Sequence, residues 1–429
     1  MKLRKWVKVL LILIIVFSIF LLNNKKTDNS TKKQDSIVDI VFNKLKSKDI
    51  SFEFIKWIDN KYNGSLEELH KLLKQSEYNL SMWHEVTGYS YLVLNDLYND
   101  KYDNMNNIKF IESNNVSTIS IIGDVSLADN WYIMPKYDER KKNVYGILSH
   151  DVVDTMTKSD LMIANNEFTV SKRGEKLKGK QYTFRADPKR LSIYSEMGVD
   201  LVTLANNHVY DFGENAFLDM LDSLSEYKIP YIGAGHNGEE ATKPFYFIIN
   251  GYKIAFVNAT RAEKYIMTPE AKENTPGVFR CYDPTNLVNT IKKVSVESDY
   301  VITILHFGKE GSHELEKEQI DVAKKALDAG ASVVVGHHAH TLQGVEFYND
   351  KPIIYNLGDF IFNANKEETA MFQIKINKSG NMDYYLLPAL QENCYTDFLK
   401  DKEKQKIIDK INSWSINAKV LEDGKIIKT

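Results

Sequence analysis

Five short apolar runs in this chain end abruptly in residues that ligate metals. Residues 118–122 run into Gly123-Asp124, residues 161–164 into Asn165-Asn166-Glu167, and residues 201–205 into Asn206-Asn207-His208. Residues 300–305 run into His306, and residues 332–335 into Gly336-His337-His338-Ala339-His340. Continuous apolar runs mark strands buried on both faces of an α/β sheet. Ligands of such sheets gather at the carboxyl ends of the strands. The repetition predicts one site assembled from five strand ends.

Between these runs the apolar spacing changes to the helical period. Residues 214–227 place Phe217, Met220, Leu221 and Leu224 on one face. Residues 316–329 place Ile320, Ala323, Ala326 and Leu327 together and stop at Gly330. Further strands are expected over 252–258 and 352–357. Alternation of strand and helix from about residue 117 to 390 predicts an α/β layered domain. Residues 36–116 read as a helical region, with Ile37, Ile40, Val41 and Leu45, then Leu66, Leu69, Leu72 and Leu73, at helical spacing. Ser65 and Glu68 form a capping-box signature there. A charged helix over 397–413 and a hairpin across Asp423-Gly424 are expected in the tail, residues 391–429.

The first 22 residues differ in texture. Lys2, Arg4, Lys5 and Lys8 precede an uncharged apolar run over 9–22. With Trp6 and Val7 it spans about 17 residues, roughly 25 Å as a helix, at the short end of a membrane-spanning length. The run ends in Asn23-Asn24, without the small residues of a cleavage site. An uncleaved anchor in the cytoplasmic membrane is therefore expected, with the bulk of the chain outside the cell. Residues 23–35 contain no apolar residue and read as a tether with a reach of about 20 Å.

Composition narrows the classes. The 429 residues are 43% hydrophobic and 26% charged, with net charge −3. That balance suits more than one globular unit and gives no electrostatic case for binding nucleic acid. Cys281 and Cys394 are the only cysteines, too few and too distant for a zinc-ribbon site. Two unpaired thiols are the plainer reading, with a disulfide open to a chain outside the cell.

Asp124, Glu167, Asn207, His306, His338 and His340 supply the carboxylate, amide and imidazole donors that divalent cations take. The set has no thiolate and exceeds one tetrahedron, so it suits two divalent metal ions (Mn, Fe or Zn) better than one structural zinc. Such ions activate water and offset charge on a phosphoryl oxygen. His208 is a candidate proton donor or oxyanion partner, and Asp211, three residues on, a candidate to orient it. Arg185 is a candidate fork for phosphate or carboxylate, and Asn165 a second candidate substrate contact. His70, His84, His150, His236 and His313 read as ordinary surface or core histidines.

At these residues the chain resembles the bacterial capsule synthesis protein CapA family, of poly-γ-glutamate biosynthesis, within the calcineurin-like metallophosphoesterase superfamily. The resemblance covers about residues 117–390. It rests on Gly123-Asp124-Val125, Ala164-Asn165-Asn166-Glu167, Tyr182-Thr183-Phe184-Arg185, the stretch from Leu204 through His208 and Asp211 to Gly213, His306-Phe307-Gly308, the stretch from Gly336 through His340 to Gly344, and the stretch from Tyr355 to Phe360. It implies a four-layer metallophosphatase-like α/β sandwich. It also implies Asp124 and His340 at a first metal, Glu167 bridging, Asn207, His306 and His338 at a second, and His208 beside the leaving group. Three positions depart from the pattern. Ser126 stands where the superfamily has a histidine, Asp359 where the family commonly has asparagine, and Lys309-Glu310-Gly311 where an aromatic is usual.

Three functions follow. One is a surface metallohydrolase acting on a phosphoester. Another is a non-catalytic metal-binding subunit that assists polymer transport or anchoring. The third is a γ-glutamyl amide hydrolase or transpeptidase. Expected partners are the cytoplasmic membrane, capsule polymer synthesis proteins, and an anionic polymer or phosphoester substrate. No Gly-rich loop for ATP phosphates is evident, so the chain is not expected to be the polymerase itself.

Overall fold

The computed structural model describes residues 54, 58, 66–76, 79–102, 107–111, 115–263 and 267–429. The expected anchor, the tether and Ser65 of the capping box lie outside them. Among the described residues no helix is long and apolar enough to cross a membrane. The chain divides into two units, residues 1–106 and 107–429.

Three short helices form the described part of the first unit: Leu66–Gln75, Leu80–Thr87 and Tyr91–Tyr98. Asn79 and Ser90 cap the second and third through their side chains, each accepting from a backbone N–H three residues on. Leu69, Leu72, Leu73, Trp83, Val93, Leu94 and Leu97 are buried. The helical expectation for residues 36–116 ends early, because Ile108–Phe110 is a strand of the second unit. Its partner is Phe245–Ile249, paired in parallel. That partner lies more than a hundred residues away, and a three-residue run carries no periodicity of its own to announce it.

Two sheets dominate the second unit. Across the first, the strands lie in the order Ile108–Phe110, Phe245–Ile249, Tyr252–Thr260, Tyr300–Phe307, Val333–His338, Lys351–Ile354, Val345–Tyr348. Across the second the order is Ala418–Val420, Lys425–Lys428, Met382–Glu392, Glu367–Asn377, Val116–Val125, Leu161–Asn166, Leu201–Thr203, Tyr231–Ile232. Asp359–Ile361 adds beside Val116–Val125, and Tyr395–Phe398 beside Met382–Glu392.

The period-two alternation of strands sorts the apolar side chains. Ile119, Ile121, Leu161 and Ile163 face Phe256, Ile302, Ile304, Val333 and Val335 in one core between the sheets. Met162, Ala164 and Val202 face the other way, onto the helices His150–Lys158, Ser192–Glu196 and Glu214–Glu226. Helices Thr285–Val296 and Lys317–Asp328 contact the strands of the first sheet. The result is four layers, helix, sheet, sheet, helix. Each fully buried Phe or Ile in such a core contributes roughly 1.5–3 kcal/mol.

Lys317–Asp328 begins with a capping box formed by Glu316 and Gln319. In the tail, Asp401–Trp414 is helical, and Ala418–Val420 and Lys425–Lys428 pair antiparallel across a turn in which Gly424 has φ 94°. Cys281 and Cys394 are both free and buried, and burial pushes the Cys281 thiol up to about 12.

Candidate metal centre

Strands Val116–Val125, Leu161–Asn166 and Leu201–Thr203 run parallel in one sheet, and Tyr300–Phe307 and Val333–His338 run parallel in the other. Their carboxyl ends meet, bringing together donors that are far apart in sequence. Two glycines allow the approach. A Cβ on Gly123 would lie 2.0 Å from the Gly358 carbonyl oxygen, and one on Gly336 would lie 2.0 Å from that of Tyr355. Neither position has room for a side chain. Just past Gly336 the backbone turns through positive φ at His338 (92°) and His340 (54°). Such conformations are strained for non-glycine residues and persist where the surroundings hold them. Here the His338 N–H donates to Asp124 Oδ2 at 3.1 Å.

Asp124, Glu167, His306, His338, His340 and Asp359 fall into three overlapping groups: Glu167, His338 and His340; Asp124, Glu167 and His306; Asp124, His340 and Asp359. Within each group one potential ligand atom per residue lies within 4.8 Å of the others. Asn207 joins through its Oδ1, 2.7 Å from His306 Nε2. Of the His337-His338 doublet, it is His338 that faces the cluster, while the His337 ring bonds the Ile122 carbonyl at 2.9 Å.

Asn165 is 1% exposed. Its Oδ1 accepts from Thr203 Oγ1 at 3.0 Å and Asn206 Nδ2 at 3.2 Å. That fixes the amide so that Nδ2 points to Asp124 Oδ1 (2.8 Å), Glu167 Oε2 (3.4 Å) and His306 Nδ1 (3.3 Å). Asn165 thus braces Asp124, Glu167 and His306, and its amide is engaged in these bonds. The Arg185 guanidinium lies 4.3 Å from the Phe212 ring centroid and donates to the Gly174 carbonyl. It lines a cleft of about 410 Å³ with Asp129, Asn130, Ser171, Lys172 and Asp187.

His208 Nδ1 lies 2.8 Å from Asp211 Oδ2, which also accepts the Phe184 N–H at 2.7 Å. The Phe184 ring packs on the His208 ring at 4.4 Å. The other Asp211 oxygen lies 2.8 Å from the ammonium of Lys180, whose side chain is 5% exposed. Lys180 also pairs with Glu263 at 3.1 Å and donates to the Asn207 carbonyl. The sequence gives no sign of Lys180 or Glu263 as members of the site. Lys180 follows Lys176 and Lys178 in a polar stretch that reads as a solvated loop. Asn206, a member of the Asn206-Asn207-His208 motif, braces both Asn165 and the His208 N–H.

The electrostatics are those of a site short of positive charge. Burial, then the neighbouring Asp124, pushes the Glu167 carboxyl well above the usual carboxylate range. Burial likewise raises Asp359. Burial and the adjacent histidines hold His306 and His338 well below the usual imidazole value. Burial opposes charge on His340, but Asp359, Glu167 and Asp124 outweigh it and raise that ring well above its usual value. Glu167 Oε1 and His338 Nδ1 are buried with no hydrogen-bond partner. Unpaired buried donors and acceptors are costly, and a cation in their midst would satisfy the acceptors among them. The oxygen and imidazole donor set, without thiolate, fits a hard or borderline divalent ion.

Residues 118–364 match the bacterial capsule synthesis protein PGA_cap family. The chain belongs to that family. Every donor named above lies within the matched span. Among PGA_cap relatives, the PGA biosynthesis protein CapA of Bacillus subtilis (strain 168) is 29% identical over 324 residues, covering 73% of this chain and 82% of that one. The capsule biosynthesis protein CapA of Bacillus anthracis is 27% identical over 304 residues, 68% of this chain and 71% of that one. A crystal structure from Staphylococcus aureus, provisionally described as a 5'-nucleotidase in complex with alpha-ketoglutarate, aligns at 14% identity and TM-score 0.42. It covers 70% of this chain and 58% of that one. A TM-score of that size carries no weight for fold or activity.

Proposed function

We propose that this PGA_cap protein acts in capsule or poly-γ-glutamate production through a metal-dependent hydrolytic site of the metallophosphoesterase kind. The observation that carries the reading is the meeting of six donor residues at strand ends of two sheets, with Glu167 Oε1 and His338 Nδ1 buried and unpartnered among them. Asp124 and His340 would hold one ion, Asn207, His306 and His338 a second, and Glu167 would face both. When bound, divalent ions supply Lewis acidity, polarising a phosphoryl or carbonyl oxygen and making water nucleophilic near neutral pH.

The remaining steps belong to side chains. His208 is the proton donor to the leaving oxygen or nitrogen. Asp211 holds its Nδ1–H, so the Nε2 side serves the reaction. Lys180 anchors Asp211 and, through the Asn207 carbonyl, ties this pair to a ligand residue. Asn165 sets the spacing of Asp124 and Glu167. The substrate class is an anionic polymer or phosphoester, with an amide of γ-glutamyl polymer open to the same chemistry. The apolar, basically flanked residues 1–22 support placement at the outer face of the cytoplasmic membrane beside polymer-synthesis proteins.

A second reading, a metal-binding subunit without turnover, is favoured by Ser126 alone, whose buried hydroxyl is a weak donor next to Asp124. Metal analysis by mass spectrometry on the full chain in detergent, with a His338→Ala/His340→Ala control, tests both. Near two equivalents of transition metal, lost in the control, with metal-dependent turnover of phosphoesters, supports the hydrolase. Metal without turnover on phosphoesters or γ-glutamyl amides supports the binding subunit. No uptake of Mn²⁺, Fe²⁺ or Zn²⁺ removes the mechanism.

A further inference from the structure

Asp124 has a second buried carboxylate of the cluster beside it, Asp359, to which the ion assignment above gives no role. Strand Asp359–Ile361 pairs in parallel with the carboxyl end of Val116–Val125, in a register that sets Asp359 against Asp124. Both side chains are 0% exposed. Like charges on adjacent strands are unfavourable, and burial makes the pairing worse. Asp359 nevertheless has specific company. Its Oδ1 lies 2.7 Å from His340 Nδ1, and its Oδ2 accepts from Asn363 Nδ2 at 2.6 Å. A carboxylate accepts only, so the His340 proton in this contact sits on Nδ1. The other ring nitrogen, Nε2, then faces Glu167 Oε1 at 3.7 Å, the oxygen that has no hydrogen-bond partner. Ser126, two residues past Asp124, offers only a buried, unpartnered hydroxyl.

We infer that Asp359 is the positioning residue of the ion position that His340 faces: it holds His340 Nδ1, which also lies 3.5 Å from Asp124 Oδ2, so that Nε2 is turned to a cation beside Glu167, and it adds negative charge to a site that has no strong donor at Ser126. This rests on the metal-centre reading above. Carboxylates that hold a ligating histidine in this way orient the ring and raise its basicity, and their loss weakens metal binding by roughly 10–100-fold. Asn363, on the outer side, keeps Asp359 itself in place.

The test is calorimetric titration of the metal-stripped full chain with Mn²⁺, comparing wild type, Asp359→Asn and Ser126→His/Asp359→Asn. Asparagine keeps the shape but removes the charge. The expected result is two equivalents in wild type, one of them weakened by at least about 10-fold in Asp359→Asn and recovered in the double variant. Two equivalents with wild-type affinity in Asp359→Asn would overturn the inference and leave the metal centre standing. No Mn²⁺ uptake by wild type would overturn both. If Asp359→Asn does not fold, anomalous scattering from Mn²⁺ in wild-type crystals decides. An ion bonded to His340 Nε2 with Asp359 outside its coordination supports the inference, and an ion bonded to Asp359 or to Nδ1 overturns it.

Discussion

Lys180→Met probes how the His208–Asp211 pair is held. The Lys180 ammonium lies 2.8 Å from Asp211 Oδ1 and 3.1 Å from Glu263 Oε1. At an effective dielectric of about 20, an ion pair at that first distance is worth about 6 kcal/mol before desolvation. Desolvation of a side chain 5% exposed against one that is 0% exposed offsets much of this. Removing one partner of a buried pair costs roughly 3–5 kcal/mol, because the other charge stays behind. Asp211 would keep the Phe184 N–H and His208, while Glu263 and the Asn207 carbonyl would share the single Thr268 hydroxyl proton. The expected loss is therefore about 2–4 kcal/mol, read as a fall of roughly 3–6 °C in melting temperature for a unit of this size. Asp211→Asn removes the stranded charge, so Lys180→Met/Asp211→Asn should be more stable than the sum of the single variants predicts, by about 1–3 kcal/mol. The assay is thermal and urea denaturation of the four proteins of the cycle. A Lys180→Met protein within about 0.5 kcal/mol of wild type, or additive single effects, would refute the argument that this cation holds Asp211.

Other consequences are simpler to state. Gly123→Ala puts a methyl 2.0 Å from the Gly358 carbonyl oxygen and should cost at least about 3 kcal/mol, seen as lost soluble yield or a large fall in melting temperature. His337→Asn should cost about 1 kcal/mol through its bond to the Ile122 carbonyl and leave metal content unchanged, whereas His338→Asn should lower metal content; equal metal loss in both would contradict the placement of the doublet. In metal-stripped protein, Glu167→Gln should stabilise. The wild-type carboxyl, raised by burial and Asp124, binds its proton more tightly folded than unfolded, so wild type loses stability as pH rises above about 4.3, and the variant's advantage should grow through that window. Melting curves at two pH values, one mildly acidic and one mildly alkaline, check the sign, and added Mn²⁺ should reverse the order of the two proteins.

What the sequence discloses and what it conceals divide along a physical line. A strand buried on both faces must change character where it leaves the sheet, so the polar residues that end it stand out. That is why Asp124, Glu167, Asn207, His306, His338 and His340 are all legible as donors from the order of residues alone. The long helices are equally plain, since Glu214–Glu226 and Lys317–Asp328 carry full apolar stripes. The groups that position those donors have no such signature. Lys180 is one lysine among several in a loop, and only folding puts it against Asp211 and Glu263. Arg185 and Asn165 show the converse. Each has the right chemistry for a substrate contact, yet packing on Phe212 engages one, and bonds to Thr203 and Asn206 engage the other. Asp359 is one aspartate among many in the chain, and its meaning depends on strand register. Only the parallel pairing of Asp359 with Asp124 sets its carboxylate beside the donor cluster. The donors of this centre are local facts of strand termini, while their orientation and net charge are facts of tertiary pairing. Ser126 and Asp359 therefore have to be interpreted together: the one lies two residues past Asp124, and the other pairs with Asp124 from the neighbouring strand.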